Sequence, residues 1–150
     1  METFNIKSAA TAISRKTLSL PAKWLNETYL ITFRHDEDVL DYGCGRGIDA
    51  DGLHADKYDP YWFPDKPSKK YDIIYSIYVL NVLQPEHVSA VIESIKSYLA
   101  PGGTAYLAVR RDIKKDGVTS KGTQQWNVVL DLPVVVEKKG KFCIYKLVNE

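Results

Sequence analysis

The chain has 150 residues, of which 45% are hydrophobic and 26% charged, with a formal net charge of +1. That suits one soluble globular domain around one core and excludes a globally charged nucleic-acid arm. The longest apolar stretch, Val128 to Val136 around Asp131, is far too short to span a bilayer, so no membrane association is expected.

In chain order, residues 1–35 read as a helical extension of the domain. Met1-Glu2-Thr3-Phe4-Asn5-Ile6-Lys7 carries an acid and no apolar run, so no signal peptide is expected. Ala9, Ala10, Ala12 and Ile13 favour a helix. Ser19-Leu20-Pro21 starts a second one through Trp24 to Tyr29. Asp38 to Tyr42 is a short strand running into a glycine turn, Ile48 to Leu53 allows a turn or two of helix, and His54 to Asp59 is a second strand. Pro60 to Lys70, with three prolines, is a loop. Tyr71 to Ile77 is a buried strand by its β-branched and aromatic content. Pro85 opens a helix whose Val88, Val91, Ile92, Ile95 and Leu99 share one face, and Pro101-Gly102-Gly103 ends it. Thr104 to Val109 is the next strand, Asp112 to Asn127 a polar loop, and Val128–Glu137 with Lys141–Val148 an antiparallel hairpin. This alternation predicts an α/β sheet with parallel strands. Cys44 in the glycine turn and Cys143 in a strand suggest reduced thiols and a cytoplasmic protein.

The chemistry concentrates in Asp41-x-Gly43-x-Gly45-x-Gly47, between a strand and a helix. Glycines there tolerate positive φ and let a ligand lie against the backbone, in the crevice at the carboxyl ends of the strands. The dinucleotide fingerprint G-x-G-x-x-G fails because Ile48 stands where its third glycine belongs, and no P-loop string is present. A bare strand-to-helix turn remains the bland alternative. His35, His54 and His87 do not cluster with each other or with the cysteines, so no metal site is expected.

Val39-Leu40-Asp41-Tyr42-Gly43-Cys44-Gly45-Arg46-Gly47 resembles the first motif of class I S-adenosylmethionine-dependent methyltransferases. The resemblance continues through Asp59, through Tyr71 to Leu83, and through Leu99-Ala100-Pro101-Gly102-Gly103, which is similar to the family's entry to its fifth strand. With Ile13 to Ser19 and Tyr58-Asp59-Pro60-Tyr61, the chain is also similar to small methyltransferase-like proteins of phages and DNA-phosphorothioation clusters. The resemblance implies a minimal Rossmann-like sheet with N-terminal helices and a C-terminal antiparallel hairpin, with S-adenosylmethionine as cofactor. It implies cofactor contacts from Asp41, Gly43, Cys44, Gly45, Pro60, Tyr61, Ile77 and Tyr78, with Asp59 accepting from the ribose hydroxyls.

Only twelve residues separate Asp59 from Asp72, where the family places a helix, a strand and another helix. Tyr61, Trp62 and Phe63 are candidates to enclose the adenine in their stead, or to fill core beneath the loop. Neither the [DNS]-P-P-[YFW] string of amino-methylating DNA enzymes nor a Pro-Cys nucleophile is present. Catalytic residues stay unassigned. Tyr78 and Asn81 are weak candidates to face the transferring methyl, though Tyr78 could be core and Asn81 a turn cap. The methyl acceptor and oligomeric state are likewise open. Residues 1–35 and 110–122 each hold three more basic than acidic side chains. They are two solvated surfaces, or the approach for nucleic acid or another anionic substrate. Arg15 and Lys16 are candidates to reach the cofactor carboxylate or an anionic substrate, and the polar segment Thr119 to Gln125 lies where the family often admits substrate, or is a solvated loop. A non-catalytic cofactor-binding module acting through a partner is the alternative function.

Overall fold

A computed structural model describes residues 16–29, 31, 38–113, 116–118 and 123–150. The helix expected before Lys16 lies outside the described residues, as do Arg15 and Thr119 to Gly122. Helix α1 (Leu20–Tyr29) is capped by Ser19, whose Oγ accepts the Ala22 N–H at 3.3 Å while its carbonyl takes Lys23 N–H at 2.9 Å. Strand β1 (Val39–Tyr42) is buried along its whole length and leads through the glycine turn into α2 (Ile48–Leu53). Strand β2 (Asp56–Tyr58) is shorter than expected, because His54 ends α2 in the left-handed conformation with φ of 57°. Strand β3 (Tyr71–Ile77) has the bounds its composition predicts. A 3-10 turn (Leu80–Val82) and α3 (Pro85–Ser97) follow.

Strand β4 (Leu99–Arg110) corrects the reading of Pro101-Gly102-Gly103 as the boundary before a strand at Thr104. Leu99 already pairs with Tyr71, and the proline and glycines form an irregularity inside the strand before Thr104 pairs with Ile73. The expected loop 112–127 also contains a small antiparallel pair, β5 (Gly117–Val118) and β6 (Gln124–Gln125). Strands β7 (Val134–Lys138) and β8 (Phe142–Val148) form the hairpin.

The main sheet runs β2-β1-β3-β4-β8-β7, parallel as far as β4 and antiparallel from there. Leu40, Tyr42, Ile74 and Leu107 pack on one face with Val91 and Ile95 of α3. Val39, Ile73, Tyr75 and Ala108 pack on the other with Ala22 and Leu25 of α1 and Leu53 of α2. Burying each such aliphatic side chain contributes about 1.5–3 kcal/mol. Chain order reverses at β1, with β2 on one side and β3 on the other, so the crevice beyond their carboxyl ends is the place for a ligand. No described helix is long and apolar enough to cross a membrane.

Candidate functional site

The glycine turn fills that crevice. Gly43, Gly45 and Gly47 have φ of 79°, 56° and 87°, where a Cβ would be strained. The turn's amides are mostly consumed internally. Gly43 and Cys44 N–H donate to the Tyr58 carbonyl at 2.7 and 3.0 Å, and Gly47 N–H donates to Cys44 O at 3.0 Å. Gly45 N–H donates to Asp59 Oδ2 at 2.8 Å. A phosphate cradle needs free amides aimed at the anion, and these four are taken.

Asp59 also accepts the N–H groups of Tyr61 and Trp62 on Oδ1, at 2.9 and 3.0 Å. Its own backbone pairs with Phe63 in both directions, so residues 59–63 form a closed tongue. Cations of the turn and β2 cover the tongue's rings: Arg46 lies 4.8 Å from the Trp62 ring centre and Lys57 5.0 Å from that of Phe63. Tyr61 meets Trp62 edge to face and stays exposed, while Pro60 is half-buried. The structure thus brings Asp41, Gly43, Cys44, Gly45, Asp59, Pro60 and Tyr61 to one end of β1 and β2. Asp59 differs from expectation in that its carboxylate is buried and bonded to the backbone.

Three carboxyls, Asp41, Asp49 and Asp59, lie near one another at the site. Burial pushes the Asp41 carboxyl well above the usual carboxylate range. Asp49 and Asp59 push the same way, and the Tyr75 hydroxyl opposes them. That hydroxyl lies beside Asp41, close enough to couple with it, without a hydrogen bond of normal geometry. Burial likewise raises Asp59 against the three N–H bonds that favour its charge. Cys44 is a free, half-buried thiol whose pKa burial, Asp41 and Asp59 raise far above the ordinary value. Among the described residues no three His, Cys, Asp or Glu side chains converge as metal ligands.

Ile77 and Tyr78 lie at the carboxyl end of β3, beside the turn. Tyr78 adopts a left-handed φ of 61° while its N–H donates to Ala108 O at 2.9 Å. Strain of this kind in a non-glycine residue gathers at functional sites. Asn81 is 1% exposed: its Nδ2 donates to Gln125 Oε1 at 2.8 Å, and its carbonyl accepts Trp126 N–H at 2.8 Å. Its amide therefore ties down the β5–β6 segment and caps no turn before Pro85. Arg110 is paired in two-pronged fashion with Asp112. Arg111 turns inward to Val128 O and Tyr145 Oη, each at 2.7 Å. These two basic residues are therefore engaged within the fold.

Asp49 was not expected at the site, Arg46 was expected only as part of the motif, and Gln125 only as part of the polar segment through which substrate would enter. Asp49 holds Ser19 through its N–H at 2.8 Å and its hydroxyl at 2.7 Å, which fixes α1 beside the turn. The sequence signal was the Ser19 cap, whose second partner is thirty residues away. Arg46 lay inside the motif, but its stacking on Trp62 depends on how the tongue closes.

A family model described as Methyltransferase domain matches residues 13–130. No curated protein matches the sequence. Among solved structures, the S-adenosylmethionine-dependent methyltransferase SibL, in its apo form, is 10% identical with a TM-score of 0.52. That match covers 82% of this chain and 55% of SibL, so the chain spans little more than half of that protein. Magnesium protoporphyrin IX methyltransferase from Synechocystis PCC 6803, with bound S-adenosylmethionine, is 14% identical with a TM-score of 0.51, covering 87% of this chain and 76% of that one. The N-methyltransferase NodS from Bradyrhizobium japonicum WM9, in complex with S-adenosylhomocysteine, is 11% identical with a TM-score of 0.51 over 98% of both chains. Identities this low are a likeness of fold, a Rossmann-like α/β sheet ending in an antiparallel hairpin. Together with the matched model, which spans most of the sequence, they identify the chain as a member of the methyltransferase domain family.

Proposed function

We propose that this chain binds S-adenosylmethionine over the glycine turn and transfers its methyl group. One observation carries the reading: the turn has spent its Gly43, Cys44, Gly45 and Gly47 amides, which leaves none of them for a pyrophosphate. The methionine end of this cofactor, with its ammonium, carboxylate and sulfonium, needs no such amide cradle, and Asp41 and Asp49 stand near the turn to meet its ammonium. Asp41, Gly43, Cys44 and Gly45 are assigned to that end, and Pro60, Tyr61, Ile77 and Tyr78 to the adenosine end. When bound, the cofactor supplies an electrophilic methyl, and the protein's task is to place an acceptor in line with it. Tyr78, on a strained backbone at the end of β3, is the residue assigned to border the acceptor.

Calorimetry with S-adenosylmethionine, NAD and ATP tests the binding step. The reading expects the first alone to bind, and a chain that prefers NAD or ATP refutes it. Transfer of labelled methyl into nucleic-acid, protein and small-molecule pools tests the reaction. Nucleic acid goes first, because of the phage and phosphorothioation-cluster resemblance and because Lys16 and Lys23 stay exposed near the Ser19–Asp49 contact. A second reading, a cofactor-binding module completed by a partner, is favoured by Asn81, whose side chain is 1% exposed with its Nδ2 on Gln125, and so is closed to an acceptor. Binding without transfer into any pool would favour it.

A further inference from the structure

The acid that follows β2 does not fit the role its position suggests. Asp59 is 2% exposed and already accepts three backbone N–H bonds, from Gly45, Tyr61 and Trp62. A carboxylate accepts about four hydrogen bonds, so a buried one with three filled cannot take both hydroxyls of a ribose. We propose that Asp59 is a positioning residue that joins the glycine turn to the 59–63 tongue, and that the cofactor's adenosine is recognised through the tongue's aromatic face and not through its ribose hydroxyls. This rests on the S-adenosylmethionine reading above.

Three further observations describe the same joint. The backbones of Asp59 and Phe63 exchange hydrogen bonds at 2.9 and 3.0 Å, which closes the tongue. Arg46 from the turn lies over Trp62, and Lys57 from β2 over Phe63. A Cβ at Gly47 would come within 3.2 Å of Lys57 and 3.3 Å of Phe63, so the third glycine makes room for the tongue. The tongue also keeps a donor in reserve. Trp62 Nε1 is buried with no partner among the described residues. An indole N–H can only donate, and the ring nitrogens of adenine accept.

The tongue therefore stands where the shortened connection between β2 and β3 leaves no third strand. Asp59 acts on the cofactor through the Gly45 backbone and the Tyr61–Trp62 pair, so cofactors lacking a ribose hydroxyl should be accepted.

The test compares S-adenosylmethionine with its 2′-deoxyadenosyl analogue by calorimetry on the parent protein. A hydroxyl donating to a carboxylate contributes about tenfold or more in affinity. The proposal expects the two to bind within about twofold, since no such bond is lost. A tenfold penalty for the deoxy analogue that disappears in Asp59→Asn overturns it. Amide hydrogen exchange without ligand gives an independent readout. In the parent, the Gly45, Tyr61 and Trp62 amides exchange slowly. In Asp59→Asn the side-chain carbonyl still serves Tyr61 and Trp62, but the new NH2 cannot accept from Gly45. The Gly45 amide alone then becomes fast while the sheet stays protected. A Gly45 amide that is already fast in the parent overturns the proposal without recourse to any variant. Should the parent ignore S-adenosylmethionine while Gly45 stays protected, the cofactor reading fails and the joint itself stands.

Discussion

Replacing Gly103 by alanine tests how β4 is built. Between Leu99 opposite Tyr71 and Thr104 opposite Ile73, β4 uses up more chain than its neighbour, and the surplus is folded at Pro101-Gly102-Gly103. A Cβ on Gly103 would sit 2.9 Å from both Ala100 O and Tyr71 O, and 3.1 Å from Asp72 O. All three are main-chain atoms in a tightly bonded region. Tyr71 N–H donates to Tyr98 O at 2.7 Å, Asp72 N–H to Asp38 O at 3.0 Å, and Asn149 N–H to Gly103 O at 2.9 Å. None can rotate away as a side chain would. Overpacking of this kind costs about 1–3 kcal/mol, and a clash with backbone belongs at the upper end. Gly102 is the internal control: its φ is 79°, but a Cβ there meets nothing within 4 Å. Alanine at 102 carries only left-handed strain, about 1 kcal/mol. Urea unfolding of Gly102→Ala and Gly103→Ala should therefore show the second losing roughly 2 kcal/mol more, with unchanged m-values. The reasoning is refuted if Gly103→Ala is no less stable than Gly102→Ala.

Asp41 and Asp59 bind protons more tightly in the folded protein than in the unfolded chain. Their contribution to stability is therefore full at acid pH and is lost as pH rises from the ordinary carboxylate range through the raised values. Asp112, held low by Arg110, runs the opposite way but is partly exposed and counts for less. Asp41→Asn should flatten the decline and be the more stable protein at neutral pH in a urea series. A parent whose stability climbs through that range contradicts this. Asn81→Ala should cost about 2 kcal/mol by leaving the buried Gln125 amide without its donor. A double variant with Gln125→Ala that costs as much as the two single changes added together would show there is no coupling. Ser19→Ala should cost about 1 kcal/mol and speed hydrogen exchange in the first turn of α1. Unchanged exchange there would rule out the cap and its link to Asp49.

The parallel half of the fold was legible where its strands are buried on both faces, as β1 is throughout and β3 is for most of its length, and less so at β2, whose Asp56 is exposed. Tyr71 to Ile77 reads as a strand by its β-branched and aromatic content, and its seven residues are the strand. Pro101-Gly102-Gly103 misled because a strong local turn signal was overridden by pairing on both sides, Tyr71 with Leu99 and Ile73 with Thr104. The β5–β6 pair left no trace in its polar composition. It is anchored from outside by Asn81, on Gln125 Oε1 and on Trp126 N–H, and closed on itself by Asp116 on Asn127 N–H. Spacing located the glycine turn, and the family resemblance pointed to the acid after β2. What Asp59 does was illegible, since three backbone amides claim it only once the tongue has closed.

The left-handed backbone at Tyr78 restricts how the β3 end of the crevice can vary. A β-branched residue at that φ is a true outlier, whereas asparagine, aspartate, histidine and glycine enter it at low cost. Random mutagenesis aimed at a new acceptor would thus find valine, isoleucine and threonine closed at position 78 for conformational reasons, whatever chemistry they offered. Diversity on that side would accumulate at neighbouring positions, while 78 drifted among a short set of polar, aromatic or minimal side chains.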